Sequence, residues 1–369
     1  MPRLLLLTLD FPPTRGGVAR YLDALASHFR DTITVVAPRE AGARAFDASC
    51  GYPVVRRTLI RRWTNPRWFP AVWQLIARKG SYDVAVVSHV LPIGTAAMIA
   101  KAFTDKPYAV IVHGMDLALA ARNPWKRWLA RCVLRGAKLV VANSRATERE
   151  ARETFEAENV VVAYPPLRGT DLPMPLLAKE GIAGLRLLTV SRLVSRKGHR
   201  RVLDAIKALR DAGRGDVVSA YRIVGAGPME GELRRAAREL GLDNVVTFLK
   251  EVSDEELGQL YEWADLFVMP TSGEGADREG FGMVYLEAAR HGVPSIASRL
   301  PGVDEAVLDG KTGVLVPDGD VAALADAIAR LKADTKCRHD LGSAARERAM
   351  RDFTPDQCFQ PLKSLFDSF

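Results

Sequence analysis

Apolar runs alternate along the chain with segments whose apolar positions recur at helical spacing. LLLLTLD, starting at Leu4, is a continuous run of the kind that fills a strand buried on both faces. Gly16 and Gly17 follow a Pro-Pro turn, and then Val18, Tyr21, Leu22, Leu25 and Phe29 recur at the period of a helix. TITVVAP, DVAVVSHV, YAVIVHG, LVVANS and NVVVAYPP continue the strand series. Strand, helix, strand in repetition predicts a parallel sheet covered on both faces. The segment 167–184 has no clean period, and the linker is placed within it, at 171–184. The alternation then restarts with LRLLTVSRL, AYRIVGAG, NVVTFL, LFVMP, VPSIAS and TGVLV as strands. HRRVLDAIKALR, MEGELRRAAREL and SDEELGQLYEWA read as the intervening helices. Two α/β domains are therefore expected, over 1–170 and 185–351, with a helical tail over 352–369.

Length agrees with that division, since 369 residues are many for one core and comfortable for two. The opening apolar run ends at Asp10, so it reads as a buried strand rather than a leader, and no run of 18 apolar residues is present. Cys50, Cys132, Cys337 and Cys358 are scattered without ligand spacing, which suits a reducing compartment and gives no reason to expect a metal. Charge is uneven. Residues 1–170 hold 25 Lys or Arg against 13 acids, while the rest hold 27 against 31. A basic half beside a mildly acidic one points to a polyanion or an anionic surface as partner of the first.

Several turns carry candidate chemistry. Gly16 and Gly17 open a helix, where backbone N–H groups and the helix dipole favour an anion; a tight turn needing small residues explains them equally well. Arg192 and Lys197 follow a strand, as suits a diphosphate, although surface basics are common in an Arg-rich chain. His113, just beyond a strand, is as readily structural as reactive. IVGAGPMEGEL fails the dinucleotide spacing, because Glu230 stands where the third glycine belongs. Asp318 and Asp320 read as a turn and helix N-cap, not a metal site. In GEGADREGFGMVYLEAARHGVP, Glu279 precedes a helix and Glu287 lies within it. Eight helical positions would separate them by about 12 Å, so they need share neither a proton nor a metal.

The basic half has one further peculiarity. Gly51 to Tyr82 contains seven Lys or Arg, three Trp and no acid; Arg122 to Lys138 contains six and two, again without an acid. Arg61, Arg62, Trp63, Trp68, Trp73, Trp125, Arg127, Trp128 and Arg131 are the candidate membrane or acceptor contacts. Asn123 and Pro124 are suited to start a helix bearing the last four. Aromatics beside basics fit an anionic bilayer surface, with an Arg-rich solvated helix or RNA contact as the alternatives.

Taken in order, DFPPTRGGVARYL, HGMD, VANSRAT, VSRLVSRKGH, RIVGAGPMEGEL, ADLFVMPT, REGFGMVYLEAARHGVP and TGVLVPDGD resemble the retaining GT-B glycosyltransferases of family 4. The resemblance runs over nearly the whole chain and is nearest to bacterial mannosyltransferases acting on lipids or lipid-linked glycans. It implies two Rossmann-like domains facing a cleft, with the C-terminal helix returning to the first. It implies Glu279 beside the transferred sugar, Glu287 on the ribose, and Gly280, Phe281, Gly282 and Met283 serving sugar hydroxyls and phosphate. Arg192 and Lys197 would clamp the diphosphate, approached by Gly16 and Gly17, with His113 at the reaction centre. Lys250 stands where the family usually has glycine, near the nucleobase. The implied donor is GDP-mannose by slight preference, with UDP-hexose as the competitor, no cofactor, and a lipid-linked or glycan acceptor. A cytoplasmic protein, peripheral at the inner face of the plasma membrane, follows. An epimerase of the same architecture and a noncatalytic binding module are the competing readings.

Overall fold

The apolar runs of the first half form seven parallel strands: β1 (Leu4–Leu7), β2 (Ile33–Ala37), β3 (Val54–Arg56), β4 (Val84–Ser88), β5 (Tyr108–Val112), β6 (Leu139–Ala142) and β7 (Val160–Val162). The structure, a computed structural model, describes residues 1–14, 16–61, 63–167, 184–273 and 279–368. Sheet order is β3-β2-β1-β4-β5-β6-β7. Leu4 lies between Ile33 and Val84, so β1 is flanked by β2 and β4, and the strand order runs outward from it in both directions across the sheet. That reversal between β1 and β4 is the switch point of the sheet. The helices are α1 (Gly17–His28), α2 (Ala43–Ser49), α3 (Phe69–Ala77), α4 (Thr95–Thr104), α5 (Met115–Ala121), α6 (Pro124–Gly136) and α7 (Arg145–Phe155). Asn123 caps α6 by accepting from the Lys126 amide at 3.1 Å, and Ser144 caps α7 through the Thr147 amide at 3.1 Å. Such caps contribute about 1 kcal/mol each.

The second half repeats the plan with β8 (Leu185–Val190), β9 (Val218–Val224), β10 (Val246–Leu249), β11 (Leu266–Met269), β12 (Ser295–Ser298) and β13 (Gly313–Val316). Its order, β10-β9-β8-β11-β12-β13, puts a second switch point between β8 and β11. The helices are α8 (His199–Asp211), α9 (Glu230–Glu239), α10 (Asp254–Trp263), α11 (Met283–Arg290), α12 (Val303–Ala306), α13 (Val321–Ala333) and α14 (Thr335–Asp352). Ser253 and Glu256 close a capping box on α10, and Asp320 caps α13 as its turn sequence indicated.

Two compact units result: Met1–Arg168 with Phe353–Phe369, and Gly169–Asp352. The last helix, α15 (Pro355–Phe366), packs in the first unit, where Phe359 meets Tyr21 edge-on at 5.6 Å and Phe366 meets Phe29 at 5.6 Å. Except for Gly184, the linker expected over 171–184 lies outside the described residues. Both sheets are Rossmann-like, as expected of a GT-B chain.

Candidate functional site

Each sheet carries a polar cluster at its switch point. In the second unit the chain leaving β8 makes a short turn, Ser195–Lys197, which ends at Gly198 with φ 73°. A Cβ on Gly198 would stand 2.0 Å from the Pro270 carbonyl oxygen, just past β11, so only glycine lets the two strand exits approach this closely. The Ser272 amide donates to the Arg196 carbonyl at 2.7 Å and joins the same two exits. Lys197 and Arg196 thereby face Glu279, which precedes α11. Lys197 Nζ and Arg196 both donate to Glu279 Oε2, the latter at 3.0 Å. All three side chains are largely buried. Burial pushes the Glu279 carboxyl up, but the charges of Lys197 and Arg196 outweigh it and hold the group below its ordinary value. Two cations against one carboxylate leave a local positive charge at the strand ends, as an anionic group requires.

Arg196 is the residue that sequence spacing missed. Arg192, expected to work with Lys197, is exposed, and among the described residues no ion pair reaches it. The only signal was adjacency, since Arg196 stands beside Lys197 in the turn. Glu287, within α11, accepts from the Tyr261 hydroxyl at 2.9 Å. Gly282 is the N-cap of α11, with φ 87°, and a Cβ there would lie 2.5 Å from the Tyr285 ring. Phe281 is buried beside it and Met283 half-buried; Gly280 completes the turn. Residues 274–278 lie outside the described residues. Lys250 is ion-paired to Glu230 at 3.1 Å, so its replacement of glycine is accommodated by a carboxylate from α9. Gly225 and Gly227 shape a turn: Cβ atoms there would sit 2.1 Å from the Ser191 and 2.4 Å from the Leu193 carbonyl oxygens.

In the first unit Gly16 is the N-cap of α1 and Gly17 its first residue, both exposed. A Cβ on Gly16 would meet nothing within 4 Å, so packing of the described residues does not demand glycine there. His113 follows β5. Its amide donates to Asp116 Oδ1 at 2.9 Å, and the Val90 amide donates to Asp116 Oδ2 at 3.1 Å, which staples the exits of β4 and β5. Asn143 Nδ2 holds the His113 carbonyl at 3.3 Å. Burial pushes the imidazole down to about 3, helped by His89 and opposed by Asp116, so His113 is neutral at pH 7.

The basic-aromatic segments divide. Trp63, Trp73, Trp125 and Trp128 are exposed, and the last two rings stack at 4.8 Å on α6. Trp68 differs from expectation: at the N-cap position of α3, where its side chain makes no cap hydrogen bond, it is half-buried and packs against the core of the first unit. Arg131 is also not a free cation, since Glu156 pairs with both it and Arg135. Arg127 donates to the Ala121 carbonyl, Arg61 is exposed, and Arg62 lies outside the described residues.

Residues 15–168 match the model of Glycosyltransferase Family 4, and residues 183–348 that of Glycosyl transferases group 1. A GDP-mannose-dependent alpha-(1-6)-phosphatidylinositol monomannoside mannosyltransferase of Mycolicibacterium smegmatis is 34% identical over 364 residues, 94% of each chain. Its Mycobacterium tuberculosis counterpart is 33% identical over 366 residues, 94% of this chain and 93% of that one. Among solved structures, Anabaena HepE in complex with UDP superposes with a TM-score of 0.81 over the whole of both chains at 22% identity. Sucrose-phosphate synthase of Thermosynechococcus elongatus gives 0.77 at 20% identity, over 99% of this chain and 98% of that one. With two Rossmann-like units and matches over nearly its whole length, the chain belongs to the family-4, group-1 glycosyltransferases of GT-B fold.

Proposed function

We propose that the enzyme transfers a hexosyl group, with retention, from a nucleoside diphosphate hexose to a lipid-linked glycan or glycolipid. The observation that carries this reading is the buried Lys197–Glu279–Arg196 cluster at the β8/β11 switch point. Charge develops on the departing diphosphate as the sugar gains oxocarbenium character. Fixed cations in a dry site stabilise that charge, and losing one commonly costs about 3 kcal/mol, or 100-fold. Lys197 and Arg196 supply it, with Arg192 arriving from the same loop. Glu279 orients the pair and the sugar, while Glu287 and the turn at Gly280–Met283 hold the remainder of the donor. The displaced phosphate is suited to take the acceptor proton on the same face, so Glu279 need not act as a nucleophile.

Mannosyl transfer from GDP-mannose is supported by the curated relatives, four of which are named GDP-mannose-dependent. UDP-hexose is favoured by solved relatives of the fold that hold UDP or UDP-glucose. A mannosylated phosphatidylinositol is the first acceptor to try, as the relatives' names indicate. Met1 aside, every exposed large apolar side chain among the described residues lies between Ile60 and Trp128. Trp73, Phe103, Trp125 and Trp128 belong to α3, α4 and α6, helices that pack side by side on one face of the first sheet. No helix among the described residues is long and apolar enough to cross a membrane. We therefore assign that outer face to a peripheral, anionic bilayer surface. Calorimetric titration with GDP-mannose, UDP-glucose and UDP-galactose tests the donor. Binding of one hexose donor is expected, and binding of none overturns the reading.

A further inference from the structure

The switch point of the first sheet holds a second cluster that the donor reading leaves unused. Asp10 follows β1 and His89 follows β4, the two strands between which the order reverses. His89 has φ 74° and ψ 132°, a conformation that residues with a Cβ avoid and that persists where the surrounding structure enforces it. Here its amide is held by the Ile111 carbonyl at 3.0 Å, and its own carbonyl by the Gly94 amide at 3.2 Å. The imidazole is fixed at both nitrogens: Nε2 lies 3.3 Å from Asp10 Oδ2, and Nδ1 lies 3.3 Å from Ser88 Oγ. Ser88 Oγ in turn lies 3.0 Å from His113 Nε2, and the two rings stand 5.3 Å apart. A carboxylate at Asp10 requires the proton on His89 Nε2. His89 Nδ1 then accepts from the Ser88 hydroxyl, whose oxygen accepts from His113 Nε2–H. Every proton in the chain points towards Asp10, whose backbone is anchored to Thr8 Oγ1 at 3.1 Å. The carboxylate is half exposed, and among the described residues its Oδ1 accepts no hydrogen bond.

The chemistry of this cluster differs from that of the donor site. It joins two carboxylates, two imidazoles and a hydroxyl, and among the described residues no Lys or Arg pairs with Asp10 or Asp116. Such a set repels phosphate and suits a neutral hydroxyl donor. We propose that Asp10 binds the acceptor, its Oδ1 taking a hydrogen bond from a sugar or polyol hydroxyl of the incoming molecule, and that His89 is the positioning residue that aims it. This rests on the glycosyl-transfer reading above.

The test uses the full chain, phosphatidylinositol monomannoside in vesicles as acceptor, and whichever nucleotide hexose the wild type turns over. Asp10→Ala is expected to lower kcat/KM for the acceptor about 30-fold, the size of one hydrogen bond to a charged group, with donor affinity by calorimetry unchanged within about 2-fold. His89→Gly is expected to lower it about 10-fold while Tm stays level or rises, because glycine accepts the positive φ. His89→Asn, which keeps a side-chain N–H donor, is expected to recover part of the loss. Asp10→Ala retaining more than half of the acceptor kcat/KM, or losing donor affinity in equal proportion, overturns the inference alone. A wild type that transfers from no nucleotide hexose overturns the underlying reading and the inference with it.

Discussion

Replacing Lys197 by Met removes one charge from the donor cluster while keeping most of the side-chain volume. Glu279 Oε2 would keep Arg196 at 3.0 Å, so the buried carboxylate is not left without a partner. Stranding a buried charge completely costs about 3–5 kcal/mol, and losing one of two partners should cost about half of that, ~2 kcal/mol. For a unit of the size of Gly169–Asp352 that corresponds to a fall in its Tm of about 4–8 °C. The proposed role makes the effect on chemistry larger, because in it Lys197 meets the charge that develops on the departing diphosphate. One lost electrostatic donor gives a fall in kcat of about 100-fold, or ~3 kcal/mol. Thermal unfolding and transfer of a radiolabelled hexose, measured on the same preparation, separate the two effects. A folded Lys197→Met enzyme with more than half the wild-type kcat refutes the assignment of Lys197 to the leaving group.

Gly198→Ala should lower the Tm of its unit by about 4–12 °C, an effect of about 2–3 kcal/mol, since its Cβ would meet the Pro270 carbonyl at 2.0 Å and φ is 73°; an unchanged Tm contradicts the close approach of the β8 and β11 exits. Burial and the nearby Lys197 push the His199 imidazole down to about 4, and His113 lies at about 3. Both folded values lie below the unfolded value of about 6.5, so below that pH the unfolded chain binds protons that the folded one does not. Their stabilisation is therefore present above pH 6.5 and is lost as pH falls towards 4 and 3. Urea midpoints should drop from pH 7 to pH 5, and drop less in His199→Gln; an equal drop argues against the buried neutral imidazole. Glu279 is depressed below about 4.5 and acts only at lower pH. Trp125→Ala with Trp128→Ala should weaken cosedimentation with anionic vesicles by 10-fold or more at low salt while leaving donor affinity alone; undiminished cosedimentation removes α6 from the membrane face.

Much of the fold was legible because buried parallel strands are written as unbroken apolar runs, such as LLLL of β1 and YAVIV of β5. β3 was not, since three half-buried residues at a sheet edge, Val54 to Arg56, show no period. Residue type and loop position located Lys197, Glu279 and Glu287 as candidates. Arg196 escaped because the rotation of a three-residue turn, not its spacing, decides which basic side chain meets Glu279. Asp10 and His89 escaped for a different reason. They lie 79 positions apart and meet only because β1 and β4 are neighbours, a pairing that topology sets and local pattern does not reveal. Composition marked the aromatic-basic segments, yet it could not show that Trp68 turns inward or that Glu156 reaches Arg131 and Arg135.

The most direct measurement follows radiolabel from GDP-mannose and, separately, from UDP-glucose into a bacterial lipid extract in the presence of the purified enzyme and of Glu279→Gln. Label should pass from one donor to an organic-soluble glycolipid with the wild type, and at least 100-fold more slowly with Glu279→Gln. No lipid product from either donor, or conversion of the donor to an epimer without a glycoside, contradicts the account.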